Sequence, residues 1–535
     1  MPAKNVWITH LFAGGWATDF GPTVYTAPDQ SNIVQVPFLI NARNCVYEFD
    51  GGPRKMPGFN QFNSGGVYGG ASGAVVGLYD YWRQGAAAAP SQRLMVASDN
   101  ATNLLIGQAA ISATSFTNLV TDFTTGAVPH FSTFDDLLIV TTDNTSDTPR
   151  SWDQTTLQNL AGTPPRFSFS TPHKNRQWAA GNFASPSTLY YSESVDPENW
   201  ASAGAGSIQI DPNDGDMITG IISHKDDLWV FKGPNVGSIH RITGSAPTGS
   251  DAFARIPFIR GLGAGWQNGI FRYGDDIGFV SPFGTVHSLA ATSAYGDFVQ
   301  SYLSYPINSY IRDGLNFSRI RYWTATNDPT NGRVYIHAPL AGATTNAITL
   351  VMDYRFMAQG ERYPRWSRWD SLALGSSTMV RDTNSRRRVY FGGYTGRVWS
   401  GDQSTRTLDG TAASYQVTLP HMNYSMDQNE KTISAVGIGV FPRNSNNMTF
   451  GWQRDNQAQQ TATVAQGGGV LLGTFLLGPD ILGGGRFVNR YIDLEEGGTF
   501  RSVQLEVTDG ANNSDIEVHS IMARIISSGE STEND

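Results

Sequence analysis

Short apolar runs recur along the chain, each introduced by a polar residue. Arg93 leads "LMVA", Asp136 leads "LLIV", Arg176 leads "QWAA" and Asp227 leads "LWVF". Asp276 leads "IGFV", Arg333 leads "VYIH" and Arg388 leads "VYF". The leading residues are spaced by 43, 40, 51, 49, 57 and 55 positions. An uninterrupted apolar run reads as a strand buried on both faces, because a half-buried strand would alternate. A period of ~40–50 residues with several strands per unit is the pattern of a β-propeller, whose four-stranded blades bury their faces by stacking on their neighbours. The pattern predicts an all-β chain with a propeller over residues 72–405. About seven blades are expected, with six or eight as alternatives. Each apolar run is expected on the inner strand of its blade, with the polar leader in the preceding turn. The unit around Arg176 is the weakest match, because "RQWAAGN" holds one large aromatic. The spacers "LAGTPPRFSFSTPHKN" (160–175) and "AFARIPFIRGLGAGWQNG" (252–269) read as loops.

Both ends depart from the repeat. Residues 1–71 contain "NARNCVYEFDGGPRKMPGF" (41–59), with turns at Asp50–Pro53 and Pro57–Gly58, and read as an extended arm with short strands. Residues 406–526 carry predicted strands at 433–441, 448–452, 474–478, 490–494, 502–507 and 516–526. Glycine-rich turns lie at 467–469 and 483–485. That spacing predicts a β-sandwich, which with the N-terminal arm would form a platform. The polar stretch 527–535, "SSGESTEND", is predicted to be a disordered tail.

Composition sharpens this picture. Charged residues make up 16% of the chain, against ~25% in ordinary soluble domains. The 58 glycines supply the tight turns a many-stranded protein needs. Net charge is −9, which weighs against a protein that grips nucleic acid through phosphates. The single cysteine, Cys45, excludes an intrachain disulfide and a cysteine-based zinc site. The opening "MPAKNVWITHLFAGGW" lacks the apolar core of a secretory signal, and no apolar run approaches the ~18 residues of a membrane span. The chain is therefore expected to be made in the cytoplasm, without membrane insertion.

Candidate chemistry is sparse. The doublets Asp135-Asp136, Asp226-Asp227 and Asp275-Asp276 occupy recurring places, where aspartates cap backbone N–H groups of turns. A catalytic pair would occupy one special site instead. No Gly-x-Ser-x-Gly, His-Glu-x-x-His or phosphate-loop pattern occurs. "DPNDGD" offers the oxygens of Asp211, Asn213 and Asp216 to a calcium ion, although Gly215 stands where the calcium-loop pattern wants a ligand; a tight turn is the competing reading. "SVDPENW" (194–200) partly resembles the Asp-box of propeller sialidases, but Glu198 replaces the glycine and Trp200 comes one residue early. Glu193, Asp196 and Glu198 would be the acid–base carboxylates of such an enzyme. "RYPRWSRWD" (362–370) reads either as a stacking platform or as a strand with arginine stems laid across tryptophans. "SRRRVYF" (385–391) reads either as a solvated or inter-subunit arginine cluster or as a phosphate site. No residue is assigned a catalytic role and no cofactor is implied.

One block is more specific. It contains Asn175-Arg176, Gly181, Tyr191-Ser192, Asp196-Pro197 with Trp200, and Gly215-Asp216-x-Ile218-Thr219-Gly220. It continues through Leu228 and Phe231-Lys232 to Ile242-x-Gly244. This pattern resembles virion proteins of tailed bacteriophages, and most closely the nozzle protein, or tail tubular protein B, of short-tailed phages. The N-terminal Asn44, Gly51-Gly52, Arg54-Lys55 and Pro57-Gly58 resemble that family's opening. The resemblance implies a structural, non-enzymatic virion protein: one subunit of a hexameric ring at the distal end of the tail tube. Its partners would be further copies of itself, the upstream tail or adaptor ring, and tail fibres. Genomic DNA would pass through without specific binding. Asn44, Arg54, Lys55, Pro57 and Gly58 would be assembly residues. An acidic balance suits a conduit, since a lumen that repels phosphate releases no counterions and does not trap DNA. Family members are often considerably longer, with insertions that form tip and fibre docks. The alternatives are a receptor- or glycan-binding tail protein and, behind it, a propeller glycosidase.

Overall fold

The computed structural model describes residues 5–12, 14–19, 33–36, 38–85, 91–291, 302–422, 431–441, 443–444, 446–455, 457–466, 488–494 and 499–527. Seven small antiparallel sheets follow one another along the chain. Blade 1 comprises Ala74–Arg83, Ser91–Asp99, Asn103–Ala109 and Thr117–Thr124; blade 2 comprises Pro129–Phe134, Leu137–Thr142, Arg150–Trp152 and Leu157–Asn159. Blade 3 is Phe169–His173, Arg176–Ala180, Thr188–Tyr191 and Gly206–Gln209; blade 4 is Met217–His224, Asp227–Gly233, Ser238–Thr243 and Ala254–Arg260. Blade 5 has three strands among the described residues, Ile270–Tyr273, Asp276–Val280 and Val286–Ser288. Blade 6 is Thr324–Asp328, Arg333–Pro339, Asn346–Asp353 and Arg365–Trp369, and blade 7 begins with Leu374–Arg381, Arg387–Gly393 and Val398–Gln403. First strands of neighbouring blades pack side by side, and the first strand of blade 7 packs on that of blade 1, closing the ring. Between blades 4 and 5 the contact runs through Gln267, whose side-chain amide accepts from the Ile221 N–H and donates to its carbonyl. The all-β propeller expected from the repeat is what forms.

The apolar runs are not the inner strands. They are the second strand of each blade. Physically, a second strand has a neighbouring blade on each face, so every residue of Arg176–Ala180 and of Arg333–Pro339 is buried. The inner strands flank the axis and carry mixed sequences such as "FSTPH" (Phe169–His173) and "TATND" (Thr324–Asp328). The two spacers read as loops also contain strands, the inner strand Phe169–His173 of blade 3 and the outer strand Ala254–Arg260 of blade 4. Of the polar leaders only Asp136 lies in the preceding turn; Arg176, Asp227, Asp276 and Arg333 open their strands, Arg388 is second in its strand and Arg93 third. Asp135-Asp136 and Lys174-Asn175 are two-residue turns with both φ positive, 49° and 61°, then 46° and 58°. Lys225 and Gly274 have positive φ at the first turn position only. These are the turns whose twist matches paired strands. The doublets are offset by one residue: Asp136 is still in its turn, whereas Asp227 and Asp276 open strands.

The ring is completed by the N-terminal arm. Gly58–Gln61 pairs with Val398–Gln403 as the fourth strand of blade 7, and buried Phe59 stacks on Phe391 with ring centroids 4.7 Å apart. Just upstream, Asn41–Arg43 lies between the outer strand of blade 6 and Tyr415–Thr418. Blade 6 therefore runs on through Tyr415–Thr418, Val503–Asp509, Asn447–Arg454 and Gln460–Ala465 as one nine-stranded sheet. A second sheet joins Ile33–Val36, Asn5–Phe12, Val518–Ser527, Lys431–Val440 and Val488–Asp493. Ile433, Ile438, Phe450, Leu505 and Ile521 share one core with the outer side of blade 6. The sandwich is thus woven from both chain ends, and the expected boundaries at 71/72 and 405/406 are crossed by strand pairing. The predicted strand at 474–478, the turns at 467–469 and 483–485, and the tail after Ser527 lie outside the described residues.

Two buried polar side chains fasten this weave. Asn44 is in the left-handed region (φ 52°) and is fully buried. Its amide donates to the Asp370 carboxylate at 3.1 Å and the Ser414 carbonyl at 2.6 Å, and accepts from the Asp370 N–H at 3.0 Å. The Lys55 ammonium, also fully buried, donates to Asp509 at 2.7 Å, Ser514 at 2.8 Å and the Ala511 carbonyl at 3.0 Å. Among the described residues no helix is long and apolar enough to cross a membrane.

Lys55→Met strands the Asp509 carboxylate, and should destabilise the chain by about 3–5 kcal/mol in a urea titration. A second expectation concerns pH. His10, His287 and His337 are buried, and burial pushes each pKa down to about 3. Above the ordinary value of 6.5 both folded and unfolded chains hold these rings neutral, so they cost nothing. Below it the unfolded chain binds protons that the folded chain refuses, so stability falls as pH drops from 6.5 towards 3. With three such groups the slope reaches up to about 4 kcal/mol per pH unit. Urea midpoints measured between pH 7 and 4 check it. Replacing these three histidines with glutamine should reduce the slope, leaving the part carried by His130, His173 and His240, which burial lowers to about 4.

Candidate functional site: an arginine-lined cleft

Hairpins between first and second strands emerge on one face of the propeller, and those of blades 6 and 7 lie beside the N-terminal hairpin Cys45–Lys55. They enclose a cleft of about 690 Å³. Seven arginines line it: Arg54, Arg333, Arg355, Arg386, Arg387, Arg388 and Arg406. The lining carboxylates are Glu48 and Asp402.

Five of the arginines are held from below. Arg333 and Arg355 share the buried Asp353 carboxylate and both donate to the Tyr47 carbonyl, at 2.9 and 2.5 Å. Arg54 forks onto Asp515 at 2.9 and 2.6 Å and reaches Glu48 at 3.0 Å. Arg406 lies 3.0 Å from the same Asp515 and donates to the Lys55 carbonyl. Burial pushes Asp515 up, but the hydrogen bonds and charges of Arg54 and Arg406 outweigh it and hold its carboxyl below the usual range. Asp382 builds the blade 7 turn: it accepts from the N–H groups of Asn384 and Arg386 and from Arg388 Nε. That turn lifts Arg386 and Arg387 into solvent, where neither side chain has a partner among the described residues. Phe49 stands at the rim, 74% exposed, with the Arg355 guanidinium 4.7 Å over its ring. Chemically the cleft presents bidentate donors and one aromatic face, which suits carboxylate or phosphate groups.

The axis of the propeller is a second cavity, of about 350 Å³, walled by Tyr79, His130, Phe131, Gln267 and Ser377 among others. No carboxylate is among its lining residues. The glycosidase suspects are elsewhere, in the loop after the third strand of blade 3. Glu193 accepts from Ser202, Ser194 N–H and Gly204 N–H, which hold its carboxyl below the usual range, opposite to the shift of a general acid. Glu198 accepts from Ser151 and Gln158, and Asp196 caps the Glu198 N–H.

The calcium candidates do not converge. Asp211 faces Arg255, Arg260 and His240, while Asp216 accepts from the N–H groups of Asn235, Val236 and Gly237. Asn213 (φ 72°) and Gly215 (φ 83°) are turn residues. Among the described residues no group of three or more His, Cys, Asp or Glu side chains is placed to hold a metal. Within "RYPRWSRWD", Arg365–Trp369 is a largely buried strand in which Arg365 lies 3.8 Å over Phe356 and Arg368 5.6 Å over Trp16, and Arg362 is exposed. Of the residues expected at assembly contacts, Asn44 and Lys55 are spent inside one chain, Gly58 opens the closing strand, and Arg54 and Pro57 line the cleft. Sequence reading flagged Arg54, Arg333 and the 386–388 cluster separately but not their convergence. Arg333 and Arg388 hold equivalent places in consecutive blades, and that was the available signal.

No family model and no curated protein matches the chain. Solved structures with some likeness include YCF48 bound to D1 peptide, at 7% identity and TM-score 0.35, covering 65% of this chain and 97% of that one. Another is an exo-β-1,3-galactanase from Phanerochaete chrysosporium, at 9% identity and TM-score 0.27, covering 88% of this chain and 99% of that one. Likenesses this weak carry no argument about this chain.

Asp216→Ala removes the acceptor for three turn N–H groups and should cost about 1–3 kcal/mol, read from the urea midpoint. Because Asp211 and Asp216 are engaged by arginines and N–H groups, millimolar calcium or EDTA should leave Tm unchanged.

Proposed function

We propose that the chain is a structural virion protein of a tailed phage, acting as one subunit of a ring at the distal end of the tail tube, like the nozzle proteins it resembles. The observation that carries this reading is where the resembling residues lie. Most of them build the joint between blades 3 and 4, and Thr219 ties blade 4 to its connection with blade 5. Arg176 donates to the Ser192 and Gly204 carbonyls and lies 5.9 Å over Phe253 of the blade 4 outer loop. Lys174 donates to the Gly244 carbonyl. Lys232, fully buried, donates to the Ile210 and Asp211 carbonyls and to Asp214. Thr219 donates to the Ala264 carbonyl at 2.7 Å. A pattern concentrated on interblade fastening marks shared architecture rather than shared catalysis.

The propeller axis is far too narrow for a duplex, so the conduit in this reading is the hole enclosed by several copies, and the propellers decorate it. The woven platform supports the same reading. Among the described residues its sheets end in Ile33–Val36, Val488–Asp493 and Gln460–Ala465, strands that can extend across a subunit boundary. Heterologous contacts of that kind generate closed rings.

Mass photometry and negative-stain imaging of the purified chain, alone and with the upstream tail ring, test the proposal. The expected result is a ring of about six copies, formed alone or on the tail. A monomer that ignores the tail and instead binds or cleaves host polysaccharide would overturn it.

A further inference from the structure

Two surface anomalies meet at the arginine-lined cleft. Phe49, 74% exposed, is the most exposed large apolar side chain among the described residues. Arg386 and Arg387, exposed and without a partner among the described residues, line the same cleft. Both features stand on built turns. Phe49 sits at a hairpin tip where the Gly51 N–H donates to the Glu48 carbonyl at 2.9 Å and the Gly52 N–H to Asp50 at 3.1 Å. The Arg355 guanidinium, itself anchored on Asp353, covers one face of the ring and leaves most of it in solvent. The two arginines stand on the turn that Asp382 organises.

The donor set points to phosphate. Every basic residue lining the cleft is arginine, and a guanidinium fork takes two oxygens at once. One fork saturates a carboxylate. A phosphate group offers three acceptor oxygens and close to two negative charges, which matches two unpartnered guanidinium groups. Arg388 spends Nε and Nη1 on Asp382 and the Asp402 carbonyl, which leaves its Nη2 as a further donor. An inorganic ion makes no use of the aromatic rim, whereas the base of a nucleotide stacks on such a ring. The cleft volume of about 690 Å³ falls within the ~300–1,000 Å³ of small-molecule sites. A chain with net charge −9 opposes a long polyanion over most of its surface, so the cleft favours a compact one.

We infer that the arginine-lined cleft binds a nucleotide, with its phosphates on Arg386 and Arg387 and its base stacked on Phe49. The chemistry recognised is the same for a free nucleotide and for the end of a single strand. The inference does not rest on the proposed assembly.

The test titrates the full chain calorimetrically, at low salt, with ADP, pyrophosphate, a short oligodeoxyadenylate and oligoglutamate. ADP should saturate one site and bind about tenfold tighter than pyrophosphate, because only ADP reaches the ring. Phe49→Ala should remove that advantage and leave pyrophosphate binding unchanged, and Phe49→Tyr should retain it. R386E/R387E should abolish binding of both. All three side chains are exposed, so urea midpoints should stay at the wild-type value and a lost signal reports a lost contact. ADP binding tighter than the oligodeoxyadenylate upholds the inference with a free nucleotide as the source; the reverse order upholds it with a strand. No saturation by either at millimolar concentration, binding indifferent to both sets of variants, or oligoglutamate bound as tightly as ADP would overturn it.

Discussion

Everything in this molecule hangs on one stretch of backbone, residues 41–61, being paired on both sides. Asn41–Arg43 is inserted between blade 6 and the C-terminal strand Tyr415–Thr418, and Gly58–Gln61 completes blade 7. Closing a loop of several hundred residues costs little more than closing a short one, because the entropy grows only with the logarithm of length. What must be supplied is a contact specific enough to choose that register. Buried Phe59 against Phe391, the Lys55–Asp509 ion pair and the Asn44 amide supply it. Buried polar groups of this type are poor sources of net stability but strict about geometry, because a slipped register would leave them unpaired.

The sequence was most legible where physics leaves a one-dimensional trace. Strands sandwiched on both faces show as unbroken apolar runs, so the second strand of every blade and the blade count could be read. The first strands could not, because "FSTPH" and "TATND" mix polar and apolar residues and carry no run. Nor could the exchange of strands between the ends: nothing in "GFNQ" (58–61) announces that it belongs beside residues 398–403. Several C-terminal strands were found, since Val503–Asp509 alternates cleanly, but Tyr415–Thr418, Gln460–Ala465 and the sheet partners were not. The cleft was half legible. Arg386–Arg388 are adjacent in sequence, whereas Arg54, Arg333, Arg355 and Arg406 meet them only through topology.

A common use of carboxylates runs through the structure. Asp136 accepts from the N–H groups of Gln84 and Gly85, Asp216 from those of 235–237, Asp382 from those of 384 and 386, and Glu193 from those of Ser194 and Gly204. Each folds a turn over a negative charge. Of the repeated Asp doublets, Asp136 and Asp276 belong to this set, whereas Asp227 faces Arg241 and Asp275 faces Lys225. A low content of charged residues therefore coexists with many ordered loops. Against that background, arginines lifted into solvent by an aspartate-built turn read as a surface feature rather than as structural surplus.

Strand exchange between the two ends also has a consequence for the order in which the protein can be made. Gly58–Gln61 emerges from the ribosome early, but its partner strand Val398–Gln403 comes more than three hundred residues later. At ordinary elongation speeds of ~5–20 residues per second that is roughly 20–70 seconds. Throughout that interval the first strand waits without its partner, and nascent chains on the same message stand side by side. The closing strand of one chain and the open blade of its neighbour are then free to find each other, so birth on a crowded polysome is the moment at which this fold is most exposed to exchanging parts between molecules.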